Sequence, residues 1–333
     1  MKIFITGIAG FLGSHLADHF INQGHEVSGN DNLIGGYKEN INPKAKFYNQ
    51  DCCDFEAMKA ATVNCDIVIH TAATAHEGLS VFSPSFITKN IFEASVSIIS
   101  ASIQNKVKRF IFCSSMARYG NQATPFKETM EPKPVDPYGI AKVAAEKVLE
   151  TLSSVHGMEY NIVVPHNIIG PRQRYDDPFR NVVSIMINRN LQNLPAIIYG
   201  DGNQVRCFSY VDDCISCIDR VVTDEKIKYQ TINIGPDENP ITINELADIV
   251  KNYTGYNGDP IYFKDRPQEV KFATCSSDKA RQLLGYSTKT KLDTAVEKTV
   301  NYIKDKGTKP FDYSYPIEII NDITPRTWKD KII

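Results

Sequence analysis

Tyr138 and Lys142 stand four residues apart in the stretch Asp136-Pro137-Tyr138-Gly139-Ile140-Ala141-Lys142, where a helical pattern begins. Pro134 and Pro137 stop whatever precedes them, and Val143, Ala144, Val148, Leu149 and Leu152 follow at three- and four-residue spacings. On a helix this places an ammonium and a phenol one turn apart on one face. A phenol ionises near pH ~10, and a neighbouring cation lowers that value. A tyrosine tuned in this way can act as acid or base near neutral pH. Taken alone, the pair reads as chance neighbours on a solvated helix face. Its meaning depends on the elements that would position it.

Those elements start at the N-terminus. Lys2 to Thr6 reads as a short buried strand. Gly7-x-x-Gly10-x-x-Gly13 follows, then a helix over about 11–22 with Leu12, Leu16, His19 and Phe20 on one side. Glycines between a strand and a helix let the helix N-terminus approach a pyrophosphate, where free N–H groups and the dipole favour an anion. The spacing departs from the G-x-G-x-x-G fingerprint, since Ala9 and Leu12 occupy positions that it would give to glycine. A second strand, Glu26 to Asn30, closes on Asp31. This carboxylate lies about 20 residues past the last glycine, as expected of one that accepts from the adenosine ribose hydroxyls. It would repel a 2′-phosphate, which selects NAD over NADP; a turn-forming Asp-Asn is the plainer alternative.

Further strands are expected at Lys46 to Asn49, Asp66 to His70, Arg109 to Cys113 and Tyr160 to Val164, with helices over about 84–105 and 138–156. This alternation implies an α/β fold with a doubly wound parallel (Rossmann) sheet. Ligands in such sheets sit beyond the C-terminal strand ends. The Gly turn, Asp31, Thr71, Ser115 and Pro165 all occupy such ends.

The second half is less regular and reads as a smaller mixed α/β substrate lobe. A helix is expected from Asp177 to Gln192, and a hairpin-like pair from Ala196–Tyr199 and Val205–Tyr210. Helices over Val211–Val222 and Thr242–Tyr253 flank a strand at Thr231–Ile234; Thr242 with Glu245 makes a capping box. A short strand at Ile261–Phe263 and helices at about 278–284 and 292–304 follow. The expected division is a nucleotide-binding domain over 1–165, rejoined by about 208–236, and a substrate lobe over 166–207 and 237–333.

Bulk properties narrow the function classes. A net charge of -2 over 333 residues gives no electrostatic footprint for nucleic acid or an anionic membrane surface. No apolar run approaches the ~20 residues that span a bilayer. Only Lys2 precedes the apolar run Ile3 to Leu12, which glycines punctuate, so no export signal is read there. Cys214-x-x-Cys217 has metal-like spacing, but no second pair completes a zinc site and no metal is expected. The eight cysteines read as free thiols of a reducing, cytoplasmic compartment.

Taken together, Gly7-x-x-Gly10-x-x-Gly13, Asp31, Ser114-Ser115…Tyr119-Gly120, Tyr138-x-x-x-Lys142 and Asn167…Gly170-Pro171-Arg172 resemble an extended short-chain dehydrogenase/reductase. More narrowly, the chain resembles nucleotide-sugar 4-epimerases of the UDP-galactose 4-epimerase type. Similarity runs through nearly the whole chain, including Ile198-Tyr199-Gly200-Asp201-Gly202…Arg206 and Asp265-Arg266-Pro267.

The resemblance implies an isomerase that uses NAD and a UDP-sugar through a transient 4-keto intermediate. Tyr138 would be the acid/base on the sugar 4-hydroxyl. Ser115 would bond the same oxygen, and Lys142 would hold the nicotinamide ribose and lower the tyrosine pKa. Cofactor contacts would come from Gly7, Gly10, Phe11, Leu12, Gly13, Asp31, Asn32, Asp51, Cys52, Thr71, Ala72, Ala73, Asn90, Ser114 and Pro165, besides Tyr138 and Lys142. The nucleotide sugar would meet Ser80, Met116, His166, Asn167, Asn181, Val182, Tyr199, Arg206, Arg266 and Glu269. Arg206 and Arg266 would clamp the diphosphate, Tyr199 would pack on the base and Glu269 would accept from its ribose. The resemblance also implies a homodimer built on the helices near 84–105 and 137–156.

Two departures bear on specificity. Met116-Ala117 stands where 4,6-dehydratases carry an acidic pair, which argues against elimination of water. Pro165-His166-Asn167 replaces an aromatic-rich segment; His166 is either a core histidine or a group facing the sugar. His76, Glu77 and Ser80 lie where the family lines the sugar pocket. A dehydrogenase, a reductase or an epimerase at another carbon shares the 4-keto step, and a non-catalytic dinucleotide sensor is the remaining alternative.

Overall fold

A computed structural model describes residues 1–333. The chain opens with β1 (Lys2–Thr6), α1 (Phe11–Asn22), β2 (Glu26–Asn30), β3 (Lys46–Tyr48), α2 (Phe55–Ala61) and β4 (Ile67–His70). Next come α3 (Glu77–Ser80), α4 (Pro84–Thr88), α5 (Ala94–Gln104), β5 (Arg109–Cys113), α6 (Pro137–His156), β6 (Glu159–Pro165) and β7 (Ile168–Ile169). The middle holds α7 (Val182–Leu191), β8 (Ile197–Tyr199), β9 (Val205–Arg206), β10 (Ser209–Tyr210), α8 (Val211–Thr223) and β11 (Gln230–Ile234). Last are β12 (Ile241–Thr242), α9 (Ile243–Thr254), β13 (Ile261–Phe263), β14 (Phe272–Ala273), α10 (Asp278–Leu284), α11 (Leu292–Lys306) and α12 (Arg326–Lys329).

Seven strands form one parallel sheet in the order β11-β6-β5-β4-β1-β2-β3. Parallel strands covered on both faces are apolar on both faces. In β1, Ile3 and Ile5 enter the core beneath α1 and α8, and Phe4 enters the other core with Val68, Phe110, Phe112, Ile98 and Leu149. Thr6 pairs with Asn30 on one side and His70 on the other. The next residues along these three strands are therefore Gly7, Asp31 and Thr71, side by side at one edge of the sheet. The strand order reverses direction across β1 and β4, and a crevice opens at such a switch point.

α6 starts where the prolines place it. Asp136 is its N-cap and accepts from Gly139 N–H at 2.8 Å, Pro137 occupies the first turn, and Gly157 ends it at φ 76°. The predicted capping box of α9 is present, with Glu245 accepting from Thr242 N–H at 2.7 Å.

Three segments differ from the sequence expectation. The helix over 84–105 is interrupted by a π-helical turn at Lys89–Glu93, which turns Asn90 to the cleft. Such turns recur at functional sites. The helix expected from Asp177 begins only at Val182, because Pro178 disfavours a helical Asp177 and that carboxylate is spent on His76 and on Phe179 N–H. The hairpin expected near 196–210 does not form. β8 pairs in parallel with β13, β9 lies between β12 and β14, and β10 pairs with β7.

The C-terminal tail doubles back over the site-bearing loops. Glu318 caps α4, accepting from Ser85 N–H at 2.9 Å and Phe86 N–H at 2.7 Å. Tyr315, Trp328 and Ile333 form a small core with Leu79, Phe82 and Phe179. All eight cysteines are free thiols. No helix is long and apolar enough to cross a membrane.

Candidate active site

One cleft runs from the Gly turn to the C-terminal lobe. At its first end the backbone itself makes the site. Gly7 adopts φ +70°, and a Cβ there would stand 2.9 Å from Ala72 Cα. A Cβ at Gly13 would run into the Gly7 carbonyl. Only glycine permits this approach of α1 to the end of β1. Asp31 ties the turn to the loop after β2, accepting from Ala9 N–H at 3.1 Å and Leu33 N–H at 2.8 Å. Burial pushes its carboxyl pKa up, against those donors. Asp51 accepts from Asn32 Nδ2 at 2.9 Å. Phe11, Leu12, Cys52, Thr71, Ala72, Ala73, Asn90, Ser114 and Pro165 line the same half.

The cleft closes on Tyr138 and Ser115. Tyr138 is 7% exposed. Burial holds its phenol above its ordinary pKa; the Ser115 hydroxyl opposes this, while Glu77 and Asp136 add to it. Ser115 also caps the turn at Met116–Tyr119, accepting from Ala117 N–H at 3.2 Å. Lys142 departs from the sequence picture. Its Nζ donates to the Cys113 carbonyl at 2.8 Å and makes no hydrogen bond to Tyr138. Burial lowers its pKa to about 8. One of its three donors is spent on that carbonyl and two remain. Below it Glu146 receives Arg118 Nη2 at 2.8 Å, also pairs with Ser114, and so fixes the loop after β5.

The other half is built from side chains of scattered origin. Arg266 forms a two-point pair with Glu269, at 3.2 and 3.0 Å, and lies 4.6 Å over the Tyr199 ring. Arg206 is held by the carbonyls of Val205, Lys271 and Val270 at 2.9, 3.1 and 2.5 Å. Asn181 caps α7, accepting from Val183 N–H at 2.9 Å, so the first N–H groups of that helix face the cleft. Asn167 lines the cleft and donates to the Cys207 carbonyl at 3.0 Å.

Three expected substrate contacts stand behind this wall. His166 is 1% exposed, its Nδ1 lies 3.5 Å from Cys275 Sγ, and burial lowers its pKa to about 4. It is a core histidine rather than a group on the sugar. Met116 belongs to the core beneath β5. Ser80 is fully buried and donates to the Glu77 carbonyl at 2.7 Å.

The NAD-dependent epimerase/dehydratase family pattern matches residues 3–235. The chain belongs to that family. It is 34% identical over 310 residues to a putative UDP-glucose 4-epimerase of Methanocaldococcus jannaschii, covering 92% of this chain and 99% of that one. The UDP-glucose 4-epimerase of Thermotoga maritima, solved with UDP-glucose, superposes with TM-score 0.87 at 34% identity, over 92% of this chain and 99% of that one. The UDP-glucuronic acid 4-epimerase of Bacillus cereus, solved with UDP-glucuronic acid and NAD, superposes with TM-score 0.85 at 28% identity, over 92% and 100%.

NAD is the cofactor of this family, and the residues present fit it. The glycine cradle would be filled by any Cβ at Gly7 or Gly13, and the Asp31 carboxylate at the end of β2 lines the same half of the cleft. Side chains missed as site residues from the sequence are Asp136 and Arg180, which line the cleft, as does Glu77, expected at the sugar pocket from the resemblance. Arg180 Nε lies 3.4 Å from Asp177, which His76 Nε2 meets at 2.7 Å in full burial. The Asp-Pro N-cap was a visible signal for Asp136. Nothing in the spacing marks Arg180, which pairs with Asp177 three residues before it and reaches toward Gly35 in the loop after β2.

Proposed function

We propose that this epimerase-family protein inverts C4 of a UDP-activated hexose through a 4-keto intermediate. The observation that carries this reading is the place of Tyr138 and Ser115, at the junction of the glycine cradle with the arginine-bearing half of one continuous cleft. Bound NAD supplies reversible acceptance of the C4 hydride. Tyr138 takes the proton of the 4-hydroxyl and later returns it. Ser115 holds that oxygen within reach of the phenol. Lys142, anchored on Cys113, offers its two remaining donors to the nicotinamide ribose. Its charge, one helical turn from Tyr138, opposes the burial that keeps the phenol protonated. Arg206 and Arg266 hold the diphosphate, and the N-terminus of α7 adds N–H donors. Anchored there, the sugar is free to turn and present its other face.

The same reading divides the chain into a cofactor domain over 1–165 with 208–236 and a substrate lobe over 166–207 and 237–333. The return of β11 to the large sheet supports it. A cytoplasmic homodimer completes it. In the protomer Ile91, Ile98 and Ile99 are already buried, while Phe92, Ile140 and Val155 on these helices stay exposed at 36%, 53% and 70%. Those side chains are the proposed seam, and sedimentation tests it: a monomer at micromolar concentration contradicts it.

The activity test is incubation with UDP-glucose, UDP-N-acetylglucosamine and UDP-glucuronate, followed by anomeric proton NMR. A new C4-epimer signal is expected from at least one donor. Release of NADH or a keto product without any C4 epimer would overturn the reading.

A further inference from the structure

The sugar ring has a bounded place in this cleft. Its C4 oxygen belongs at Tyr138, and its diphosphate at Arg206 and Arg266. The ring therefore lies between the start of α6 and the two arginines. Glu77 stands in that interval. It opens α3, whose Ser80 Oγ reaches Asp136 at 3.4 Å on the α6 side. On its other side, a Cβ at Gly78 would lie 3.3 Å from Arg266 Nη1. Glu77 lines the cleft and remains open to its water, although protein surrounds it closely enough for burial to push its pKa to about 7.

The charges around Glu77 are already engaged. Asp136 accepts from Gly139 N–H at 2.8 Å, Arg266 is doubly bonded to Glu269, and Arg206 is held by three carbonyls. The remaining cation of the cleft, Arg180, turns to Asp177 and to Gly35 on the cofactor side. The Glu77 carboxylate accepts no hydrogen bond from the protein; the residue's only acceptor in use is its main-chain carbonyl. Water serves this exposed carboxylate in the free cleft, and a sugar that displaces the water must supply donors in its place.

We propose that Glu77 makes this site select a neutral hexose or N-acetylhexosamine and reject a hexuronate. A sugar hydroxyl or acetamido N–H donates to the carboxylate. A uronate carboxylate can only accept, so it leaves Glu77 unpaired and adds like-charge repulsion. The proposal rests on the C4-epimerase reading and adds its substrate class. The selection works through a repulsive element as well as a new hydrogen bond.

The test compares UDP-glucose and UDP-glucuronate with the full-length, NAD-loaded protein at pH 8, for wild type, Glu77→Gln and Glu77→Asp. Wild type should favour UDP-glucose in kcat/KM by at least about tenfold, as expected where like charges face each other. Glu77→Gln should shrink that ratio by about tenfold, and Glu77→Asp should keep most of it. Lowering pH from 8 to 6 should narrow the wild-type ratio, as the carboxylate gains its proton, and leave the Gln variant's ratio flat. The groups facing Glu77 are Asp136 and Tyr138 from α6, Arg206 from β9, and Arg266 and Glu269 from the loop after β13; all are common to both variants. Calorimetric Kd values for both nucleotide sugars provide a readout independent of turnover. A wild type that binds and turns over UDP-glucuronate as well as UDP-glucose overturns the proposal, as does an unchanged preference in Glu77→Gln. Binding preference that follows Glu77 without any C4 epimer upholds the selectivity and refutes the epimerase reading instead.

Discussion

The two halves of the cleft are made in different ways. The cofactor half is made by the main chain: a glycine turn, the ends of parallel strands and one carboxylate fixed by two N–H groups. The substrate half is made by long side chains brought in from separate stretches of the chain, such as Tyr199, Arg206 and Arg266, and is covered by a tail that returns from residue 309. The first can bind a molecule common to a whole family. The second can change from protein to protein without disturbing the sheet. Tyr138 lies where they meet, at the start of a helix that an Asp-Pro pair holds in register.

This contrast can be broken in measurable ways. The largest effect should come at the junction. Tyr138→Phe removes the proton carrier, and turnover should fall by ~10²–10⁴-fold with bound NAD unchanged. NAD content by absorbance and anomeric NMR separate the two readouts, and a variant with full turnover would remove Tyr138 from the chemistry. On the cofactor side, Gly13→Ala sets a methyl against the Gly7 carbonyl, an overpacking of ~1–3 kcal/mol. NAD retention should drop by about tenfold or more, while a UDP-sugar Kd measured with NAD in excess stays near wild type. On the substrate side, Arg206→Met should raise the UDP-sugar KM by about 10–100-fold, the range of a hydrogen bond to a charged group, and leave NAD content intact. Loss of NAD in that variant would erase the division between the halves.

The smallest effect should come from a residue that only borders the site. His166→Leu should change kcat and KM by less than about twofold, because its ring faces Cys275 rather than the cleft. Its effect should appear in stability against pH. Burial holds His70 at about 3 and His166 at about 4, below the ~6.5 of an unfolded histidine. Between these limits the unfolded chain binds more protons, so stability is full above pH ~6.5 and is lost as pH falls toward 4. Thermal unfolding at pH 7 and pH 5 should show this loss, and His166→Leu should reduce it. An equal loss in the variant would mean that His166 is solvated.

The same contrast explains what could be read in advance. Strand ends, the Gly turn and Asp31 are legible because spacing along the chain fixes geometry that is local or shared by neighbouring parallel strands. Tyr138 and Ser115 are legible because α6 begins at a proline and β5 ends in small residues. The lysine four residues on is on the expected helix face, yet the carbonyl of Cys113 takes its ammonium, a competition that helical spacing does not reveal. His166 looks like a site residue because it follows a strand end, but the next turn points it into the core against Cys275. Arg180 carries no local mark: it takes its meaning from Asp177 and from Gly35 in the loop after β2. Glu77 is placed at the pocket by the resemblance, and its free carboxylate only by the structure. The expected hairpin at 196–210 fails for a related reason: alternation predicts strands but not their partners, and β12, β13 and β14 arrive from later in the chain.

The central claim is that a C4 hydride leaves and returns within one site, with Tyr138 handling only the hydroxyl proton. It is tested most directly with UDP-glucose deuterated at C4, incubated in ordinary water and read by NMR and mass spectrometry. The prediction is a C4 epimer that keeps its deuterium at C4, with no free NADH. An epimer carrying solvent hydrogen at C4 would contradict it.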